Sequence, residues 1–388
     1  MLYLHAMGHF HPENVISNQF LEELDMGTSN DWIMERVGIQ NRRTVLPLDY
    51  IRKTKNVHPL QSFSIRLYTN AQMSAMAARM ALQRAGLKAK DIGLIISGSS
   101  SPDNITPAEA GAVAAELGIE VPCFDLNSAC STFGMQVNFL LRMKPEEMPP
   151  YVLLVGAEST TKVINYTDRN SSVLFGDGAH AAVVSSTIPA RAAFISGGYN
   201  ARPSGWTKVG VTGDWVFSQD GNAVQGFAIR TTTECLKKLQ DQYEAQAKRF
   251  IFIAHQANYM MLKTVCERRH IKPEHHWFNV DQFGNVGCCG APAVLSMNWD
   301  NIRPGDNIAL VIVGAGLATS LSCLAAAFFA FGLFWFSNQK EYPTRNYRAF
   351  SFSDLGRLLK FGLPHGCEVF FSVASFTVIT FLVGRLGG

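Results

Sequence analysis

The chain has 388 residues, of which 47% are apolar and 17% charged, a composition typical of a globular protein with one large or two ordinary cores. Its formal net charge of +3 is too small and too scattered to favour a nucleic-acid partner. The eight cysteines follow no CxxC or Cys/His ligand spacing, and the N-terminus lacks a signal-peptide layout. We therefore expect no metal, free thiols and a reducing, cytoplasmic location.

Short apolar runs bounded by Gly, Pro or Ser alternate with helical patterns. A first set predicts strands at 92–97, 121–126, 151–156 and 181–186, and a second set at 249–254, 276–280 and 307–314. Such runs are typical of strands covered by helices on both faces. Between them lie helical patterns such as AEAGAVAAELG and YMMLKTVCERR. The alternation predicts one α/β unit used twice.

Three polar side chains follow predicted strands at equivalent places. Cys130 comes after the run at 121–126, His255 after 249–254, and Asn285 after 276–280. Each alone is more often a buried apolar residue or a turn residue. Because reactive groups gather at the carboxyl ends of strands in open α/β sheets, we expect the three to meet in one crevice.

The chemistry of these groups favours carbon–carbon bond formation. A helix starting near Ser128 or Ala129 is expected to lower the pKa of Cys130 and favour its thiolate. A neutral imidazole and a carboxamide supply two donors without a strong base, which suits an enolate oxygen as a carboxylate leaves as CO2. This chemistry requires no metal and no redox cofactor.

Six motifs in order carry a family resemblance. From Met1 to about Leu324 the chain resembles the ketoacyl-acyl-carrier-protein synthase III branch of the thiolase-like condensing enzymes. The matching stretches are SNDWIMERVGIQNRR (29–43), NSACSTFGMQ (127–136), DRNSSVLFGDGAHAAVV (168–184), HQAN (255–258), GNVG (284–287) and GDNIALVIVGAGLATS (305–320).

The resemblance implies a duplicated five-layer αβαβα fold, with halves at 1–187 and 188–324, that works as a homodimer. It also implies that Cys130 takes an acyl primer from acyl-coenzyme A. His255 and Asn285 would then promote decarboxylation of malonyl-acyl-carrier-protein or malonyl-coenzyme A, and the enolate would attack the acyl-enzyme. This is an acyltransferase activity in fatty acid or polyketide-like biosynthesis.

Further site residues also follow from the resemblance. The backbone N–H groups of Cys130 and Ala315 would form the oxyanion hole. Trp32, Arg36 and Arg169 fall where the family binds coenzyme A, by stacking on adenine and by guanidinium contacts. The Gly-rich FGDGAHAAVV stretch is interpreted as a structural turn rather than a phosphate loop.

Departures from the family pattern leave the substrates open. Met260 stands where the family commonly carries an Arg that helps to dock the acyl carrier protein, although the same predicted helix carries Lys263, Arg268 and Arg269. Thr106 stands where a bulky Phe often limits the primer pocket, which suggests a roomier pocket. The longer stretch at 47–62 suggests an atypical lipid synthase.

Alternatives within the fold remain. GAGLATS lacks the second cysteine of a thiolase, and the His/Asn pair differs from the two His of elongating ketosynthases. A non-decarboxylating condensation of two acyl thioesters, or a cysteine hydrolase, is separated from the main hypothesis only by its products.

The C-terminal region, 325–388, belongs to another class. The runs at 321–337 and 361–388 are apolar. The stretch at 352–387, which includes most of the second run, resembles a repeat-opening helix of the multidrug and toxic compound extrusion transporters. A bilayer span needs roughly 20 apolar residues, which the first run lacks. The basic loop between the runs is expected on the cytoplasmic side of a membrane. If the first run spanned the membrane, the enzyme domain before it would lie on the opposite side, away from its coenzyme A and malonyl thioester substrates. The two expectations therefore conflict. We favour a gene-fusion artefact; the alternatives are membrane association through this region, or a truncated transporter with an incidental condensing domain.

Overall fold

The apolar runs between the helical stretches pair into two sheets. The computed structural model describes residues 1–211, 213 and 215–314, with every side chain of these except that of Pro203. The expectations for Ala315 and for 325–388 therefore lie outside the described residues. No helix among the described residues is long and apolar enough to cross a membrane.

The described strands are β1 (Leu2–Phe10), β2 (Asn14–Ser17), β3 (Asn41–Thr44), β4 (Leu94–Ser97), β5 (Cys123–Asp125), β6 (Val152–Glu158), β7 (Gly178–Ser185), β8 (Ala192–Phe194), β9 (Val209–Val211), β10 (Phe217–Gln219), β11 (Arg249–Ala254) and β12 (Asp306–Val311). The described helices are α1 (Asn18–Glu23), α2 (Asn30–Arg36), α3 (Leu48–Thr54), α4 (Ser62–Ile65), α5 (Asn70–Ala85), α6 (Glu109–Leu117), α7 (Thr132–Leu140), α8 (Arg169–Ser172), α9 (Gly221–Tyr243), α10 (Tyr259–Arg269), α11 (Val280–Phe283) and α12 (Gly290–Met297).

The larger sheet has the strand order β5-β4-β6-β7-β1-β8. Strands β5, β4 and β6 run parallel, whereas β7, β1 and β8 each pair antiparallel to their neighbour. Every residue of β6 and β7 is buried. Strands covered on both faces bury all their side chains, so the continuous apolar runs correctly predicted helices on either side.

The side chains of β6 point alternately to the two faces of this sheet, and each face is covered by a separate part of the core. Leu153 and Val155 pack with α5, whereas Val152 and Leu154 pack with α7 and α12. Helix α5 also contacts β1 and β7. It begins at a capping box in which Thr69 and Gln72 each satisfy the other's backbone N–H, an arrangement that fixes a helix start.

The smaller sheet pairs β11 with β12 in parallel. Ile251 and Ile253 face the core that contains α12, while Phe250 and Phe252 face α9 and α10. Helices α7 and α12 therefore lie between the two sheets, and the layers follow the order helix, sheet, helix, sheet, helix. This mixed α/β layering confirms the thiolase-like fold expected from the sequence.

Most of the predicted strands form. The run at 276–280 is not a strand: His276 makes an isolated bridge to Phe252, and α11 begins at Val280. The backbone N–H groups of Asn279 and Val280 donate to the Gln256 side chain at 3.0 and 3.3 Å. They are therefore not available for hydrogen bonds to a neighbouring strand. Among the described residues, six strands were not predicted from the sequence: β1, which pairs with β7 inside the larger sheet, and the shorter β2, β3, β8, β9 and β10.

Candidate active site

The turn that carries Cys130 is held by side chains on both sides of it. Ala129 adopts a left-handed φ of 47°, which a non-glycine residue keeps only when its surroundings enforce it. Its N–H donates to Asn127 Oδ1 at 2.8 Å, and its carbonyl accepts from Thr132 Oγ1 at 2.8 Å. Thr132 Oγ1 also accepts from Ser128 N–H at 2.9 Å. Helix α7 begins at Thr132, so the expected start near Ser128 or Ala129 was wrong.

Burial dominates the electrostatics of the Cys130 thiol. Its accessible surface makes the residue half-buried, yet its surroundings raise its pKa to about 12, first through desolvation and then through the negative charge of Glu158. The expectation of a lowered pKa was therefore wrong. The helix begins two residues beyond the cysteine, and burial disfavours the charged form of the thiol. Cys130 rests as a thiol at neutral pH.

Glu158 is a residue that sequence reasoning missed. It ends β6, is fully buried, and accepts hydrogen bonds from the hydroxyls of Ser100 and Ser101, each at 2.8 Å. The Ser100 N–H also donates to it, at 3.1 Å. The signal was available, because an acidic residue ends an otherwise apolar buried run in YVLLVGAE. Its carboxylate sets part of the field at Cys130.

His255 lies directly after β11 and extends the pairing with β12. Its N–H donates to the Val311 carbonyl at 2.9 Å, and the residue is 6% exposed. Desolvation lowers the pKa of its imidazole to about 4. Among the described residues, Nδ1 finds no hydrogen-bond partner. The side chain is therefore a neutral imidazole at physiological pH.

The rest of the HQAN motif positions this histidine. The Gln256 amide donates to the Ala254 carbonyl at 2.7 Å and accepts from Asn279 N–H, tying the end of β11 to the start of α11. Asn258 caps α10 by accepting from Met261 N–H at 2.8 Å. Capping of this kind satisfies donors left open at a helix start. Both residues hold the local backbone.

Asn285 follows α11 through Gly284, whose φ of 70° is left-handed. A Cβ on Gly284 would lie 2.7 Å from the Leu174 carbonyl oxygen, so glycine is needed here for space as well as for conformation. The Asn285 N–H donates to that same carbonyl at 2.8 Å. Its side-chain Oδ1 accepts from Gly287 N–H at 3.0 Å. The oxygen thereby accepts one hydrogen bond, and Nδ2, which has no partner among the described residues, can donate to a ligand.

Cys130, His255 and Asn285 line one cavity of about 1560 Å³. They come from three separate segments of the chain, and all three are among the residues that line this space. Trp32 and Arg36 line this cavity as well. The arrangement places a nucleophile, a neutral imidazole and an amide donor around one volume.

The three residues predicted to bind coenzyme A also cluster. The guanidinium carbons of Arg36 and Arg169 lie 5.7 and 5.0 Å from the Trp32 ring centroid. Arg169 donates to the Gly27 carbonyl at 2.8 Å; it is exposed and does not itself line the cavity. Cations within about 6 Å of an indole face are attracted to it. The cluster is a basic, aromatic surface at the cavity.

Other expectations have mixed outcomes. Asp177 of the FGDG stretch is buried and accepts from Val45 and Thr161 N–H groups at 2.8 and 2.9 Å, which confirms the interpretation of that stretch as structural. Thr106 is exposed and does not line the cavity, so its link to a roomier pocket is not supported within one chain. On α10, Arg269 is held by Gln240 at 2.8 Å.

The two family models that match describe 3-oxoacyl-(acyl-carrier-protein) synthase III, over residues 124–200, and the C-terminal part of that enzyme, over residues 246–325. A beta-ketoacyl-acyl-carrier-protein synthase III from Syntrophomonas wolfei is 34% identical over 338 residues, covering 81% of this chain and 94% of that protein. One from Sulfurovum is 28% identical, covering 83% of this chain and 95% of its own length.

Solved structures agree. The 3-oxoacyl-(acyl-carrier-protein) synthase III from Aquifex aeolicus superposes with a TM-score of 0.69 at 25% identity, covering 82% of this chain and 97% of its own. That from Thermus thermophilus gives 0.68 at 27% identity, covering 81% and 96%. Since a relative above 30% identity is matched over nearly its whole length, the chain belongs to the beta-ketoacyl-acyl-carrier-protein synthase III family of acyltransferases, the condensing enzymes.

Proposed function

We propose that this chain joins an acyl primer to a malonyl thioester by decarboxylative Claisen condensation, through an acyl group carried on Cys130. The observation that carries the proposal is the shared cavity lined by the Cys130 thiol, the His255 imidazole and the Asn285 amide. One group is a nucleophile and the other two are donors. That division matches a reaction with an acylation step followed by an enolate step.

The first step is a thioester exchange. The Cys130 sulfur attacks the carbonyl carbon of acyl-coenzyme A, the bond to the coenzyme A sulfur breaks, and the thiol proton ends on the departing sulfur. Because burial and Glu158 raise the pKa of Cys130 to about 12, the proton must leave as the sulfur attacks. We propose that His255, neutral and lining the same cavity, relays that proton. The backbone N–H groups of Cys130 and Ala315 are the proposed oxyanion hole.

The second step makes the carbon–carbon bond. Loss of CO2 from the malonyl thioester leaves an electron pair as an enolate, which attacks the acyl carbonyl. The bond from the acyl carbon to the Cys130 sulfur breaks, and the sulfur takes up a proton from solvent to become a thiol again. We propose that the His255 imidazole and the Asn285 Nδ2 donate to the enolate oxygen. A histidine with a pKa of about 4 carries no extra proton at neutral pH, so it polarises the oxygen without quenching the carbanion by proton transfer.

The primer is proposed to enter as a coenzyme A thioester, with its adenine on Trp32 and its phosphates near Arg36 and Arg169. An aromatic ring inserted between two stacked groups needs roughly 7 Å, twice the van der Waals spacing. The Arg169 guanidinium stands 5.0 Å from the indole centroid. Arg169 must therefore move outward by about 2 Å if adenine enters between the two.

A homodimer is proposed on the basis of the open sheet edge. Strand β5 is the outer strand of the larger sheet, and Phe124 in it is 36% exposed. Ile105, in the loop before α6, is 85% exposed. An edge strand with exposed apolar side chains is a pairing site unless it is covered. Light scattering of the purified chain measures the mass directly, and a monomer at micromolar concentration would contradict the proposal.

The domain division also remains a proposal. The halves at 1–187 and 188–324 would contribute Cys130 on one side and His255 with Asn285 on the other. On α10, Lys263 and Arg268 are exposed, and they are the available cations for an acidic carrier protein near Met260 and Arg269. The transporter-like interpretation of 325–388 stays a prediction, because that region lies outside the described residues.

The test follows each product separately. Intact-mass spectrometry of the protein with a panel of acyl-coenzyme A substrates should add one acyl group, and Cys130→Ala should abolish the addition. With labelled malonyl thioester, the acylated enzyme should release CO2 and product in equal amounts. Asn285→Ala should keep acylation and lose CO2 release by about 100-fold.

Each alternative predicts a different product. Product without malonyl thioester would indicate a non-decarboxylating condensation, and release of free acid would indicate a hydrolase. Acylation that survives Cys130→Ala would overturn the assignment of the nucleophile.

A further inference from the structure

A second cluster of reactive groups lies in the core, separate from the residues that line the cavity. His180 projects from β7, and Cys288 and Cys289 lie in the short 3-10 turn Gly287–Cys289. Each of the three side chains is at most 1% exposed. A ring nitrogen of the histidine and the two sulfurs all lie within 4.8 Å of one another. The proposed condensation uses none of the three.

His180 has no hydrogen-bond partner within the described part of the chain. Both ring nitrogens are buried and unpaired, and the ring meets Phe133 edge-on at 5.1 Å between centroids. Leaving a buried donor or acceptor unsatisfied destabilises the folded state, and each such group in a native structure needs an explanation. A buried, unpaired imidazole with two thiol sulfurs within 4.8 Å of one of its ring nitrogens suggests that a ligand completes the arrangement.

The spacing of the sulfurs fits a tetrahedral metal. Cys288 Sγ and Cys289 Sγ are 3.7 Å apart. Two thiolates at about 2.3 Å from one zinc ion, with a tetrahedral angle between them, are about 3.8 Å apart. In the structure the Cys288 thiol donates to the Gly98 carbonyl at 3.7 Å and interacts with Glu158, and the Cys289 thiol donates to the Gly156 carbonyl at 3.3 Å. Binding a metal would replace these thiol hydrogen bonds.

We propose that His180, Cys288 and Cys289 form a buried binding site for a thiophilic divalent cation, with Zn²⁺ the expected ion. One nitrogen and two sulfur donors are the set that zinc prefers over calcium or magnesium. Binding exchanges two thiol protons for one divalent cation, so the charge of the site is unchanged. The nearby Glu158 is not counted as a ligand, because Ser100 and Ser101 already occupy its oxygens.

The position of the site connects it to the proposed chemistry. The Gly287 N–H, one residue before Cys288, donates to Asn285 Oδ1 at 3.0 Å. A metal held by the next two residues would therefore brace the turn that orients the Asn285 amide.

Co²⁺ is used as the probe because its absorption spectrum depends on the type and geometry of its ligands. Reduced, metal-stripped protein carrying Cys130→Ser, which removes the catalytic thiol as a competitor, is titrated with Co²⁺. We expect binding of one equivalent with thiolate-to-cobalt charge-transfer bands and the strong visible bands of a tetrahedral site. Metal analysis after dialysis against zinc should give about one zinc per chain.

Matched variants locate the ligands. Cys288→Ala and Cys289→Ala should each weaken Co²⁺ binding at least tenfold, whereas Cys266→Ala, a half-buried thiol on α10, should leave it unchanged. Folding of each variant is checked by circular dichroism. Equal binding in Cys288→Ala and Cys266→Ala would overturn the proposal. So would the absence of thiolate bands in the folded parent, whether or not the variants fold.

Discussion

Gly314 packs directly against Ser131: a Cβ at position 314 would lie 2.7 Å from the Ser131 amide nitrogen and 2.8 Å from its hydroxyl oxygen. The segment after β12 therefore touches the turn that carries Cys130. Only a residue without a side chain permits this approach. The contact connects the end of the smaller sheet to the proposed nucleophile.

Gly314→Ala should displace the Cys130 turn and slow acyl transfer. A Cβ at that distance forces backbone to move, and a misplacement of about 1 Å can reduce a rate by roughly 100-fold. Single-turnover acylation followed by mass spectrometry measures the effect. Gly111→Ala is the control, because a Cβ there meets nothing within 4 Å. Acylation of Gly314→Ala at the parental rate would show that the contact does not position Cys130.

Alkylation of Cys130 by iodoacetamide should keep accelerating with pH. Burial and the charge of Glu158 raise the pKa of the thiol to about 12, so the thiolate fraction grows about tenfold with each pH unit up to that value. The rate at the Cys130 peptide, read by mass spectrometry between pH 6 and 9, should show no plateau. A plateau of the alkylation rate near neutral pH would show that the pKa of Cys130 is lowered, as the nearby helix start would lower it, and would contradict the effect of burial.

Glu158→Gln should make the same thiol more reactive. A negative charge near Cys130 disfavours the thiolate, so removing that charge lowers the pKa and increases the thiolate fraction at pH 7. We expect alkylation several times faster than in the parent, provided that the melting transition shows a folded variant. A slower reaction in a folded variant would contradict the assigned electrostatics.

Trp32→Ala should raise KM for acyl-coenzyme A about tenfold with little change in kcat. Stacking of a base on an aromatic side chain contributes about 1–3 kcal/mol, and the lost contact is remote from the reacting carbonyl. With a short acyl thioester primer that lacks adenosine, Trp32→Ala and the parent should have the same KM. An equal loss with both primers would place Trp32 elsewhere in the mechanism.

The protein should lose stability as the pH falls from 7 to 5. Burial lowers the pKa of His255 and of His276 to about 4 each, whereas an unfolded histidine titrates near 6.5. Over that range the unfolded chain binds protons that the folded one cannot, so the free energy of unfolding falls, by about 2 kcal/mol for each histidine at pH 5. Urea denaturation at both pH values measures the change.

A conservative variant isolates one of these histidines. His276 stacks between Phe252 and Phe278, at 5.6 and 5.0 Å between ring centroids, so His276→Phe should fold. It should remove the contribution of one histidine, about 2 kcal/mol of the fall in the free energy of unfolding between pH 7 and pH 5. A dependence equal to that of the parent would show that other groups cause it.

Much of the fold could be read from the sequence because its signals are local. Buried strands such as β6 are continuous apolar runs, and the helix pattern at 259–269 matches α10. The run at 276–280 was wrongly predicted to be a strand because two of its backbone N–H groups donate to the side chain of Gln256, a residue more than twenty positions earlier. Local periodicity contains no information about a hydrogen-bond acceptor that lies so far away along the chain.

By itself, the sequence determined which side chains could do the chemistry and the order of the elements that carry them. Cys130, His255 and Asn285 are recognisable because each sits in a short motif with its own turn and caps. Only the tertiary structure decided that they line one cavity and that Glu158 opposes the thiolate. It also decided that His180 lies close to Cys288 and Cys289, from which it is separated by more than a hundred residues of chain. Burial and charge act through space, so they depend on which segments the fold packs together rather than on spacing along the chain.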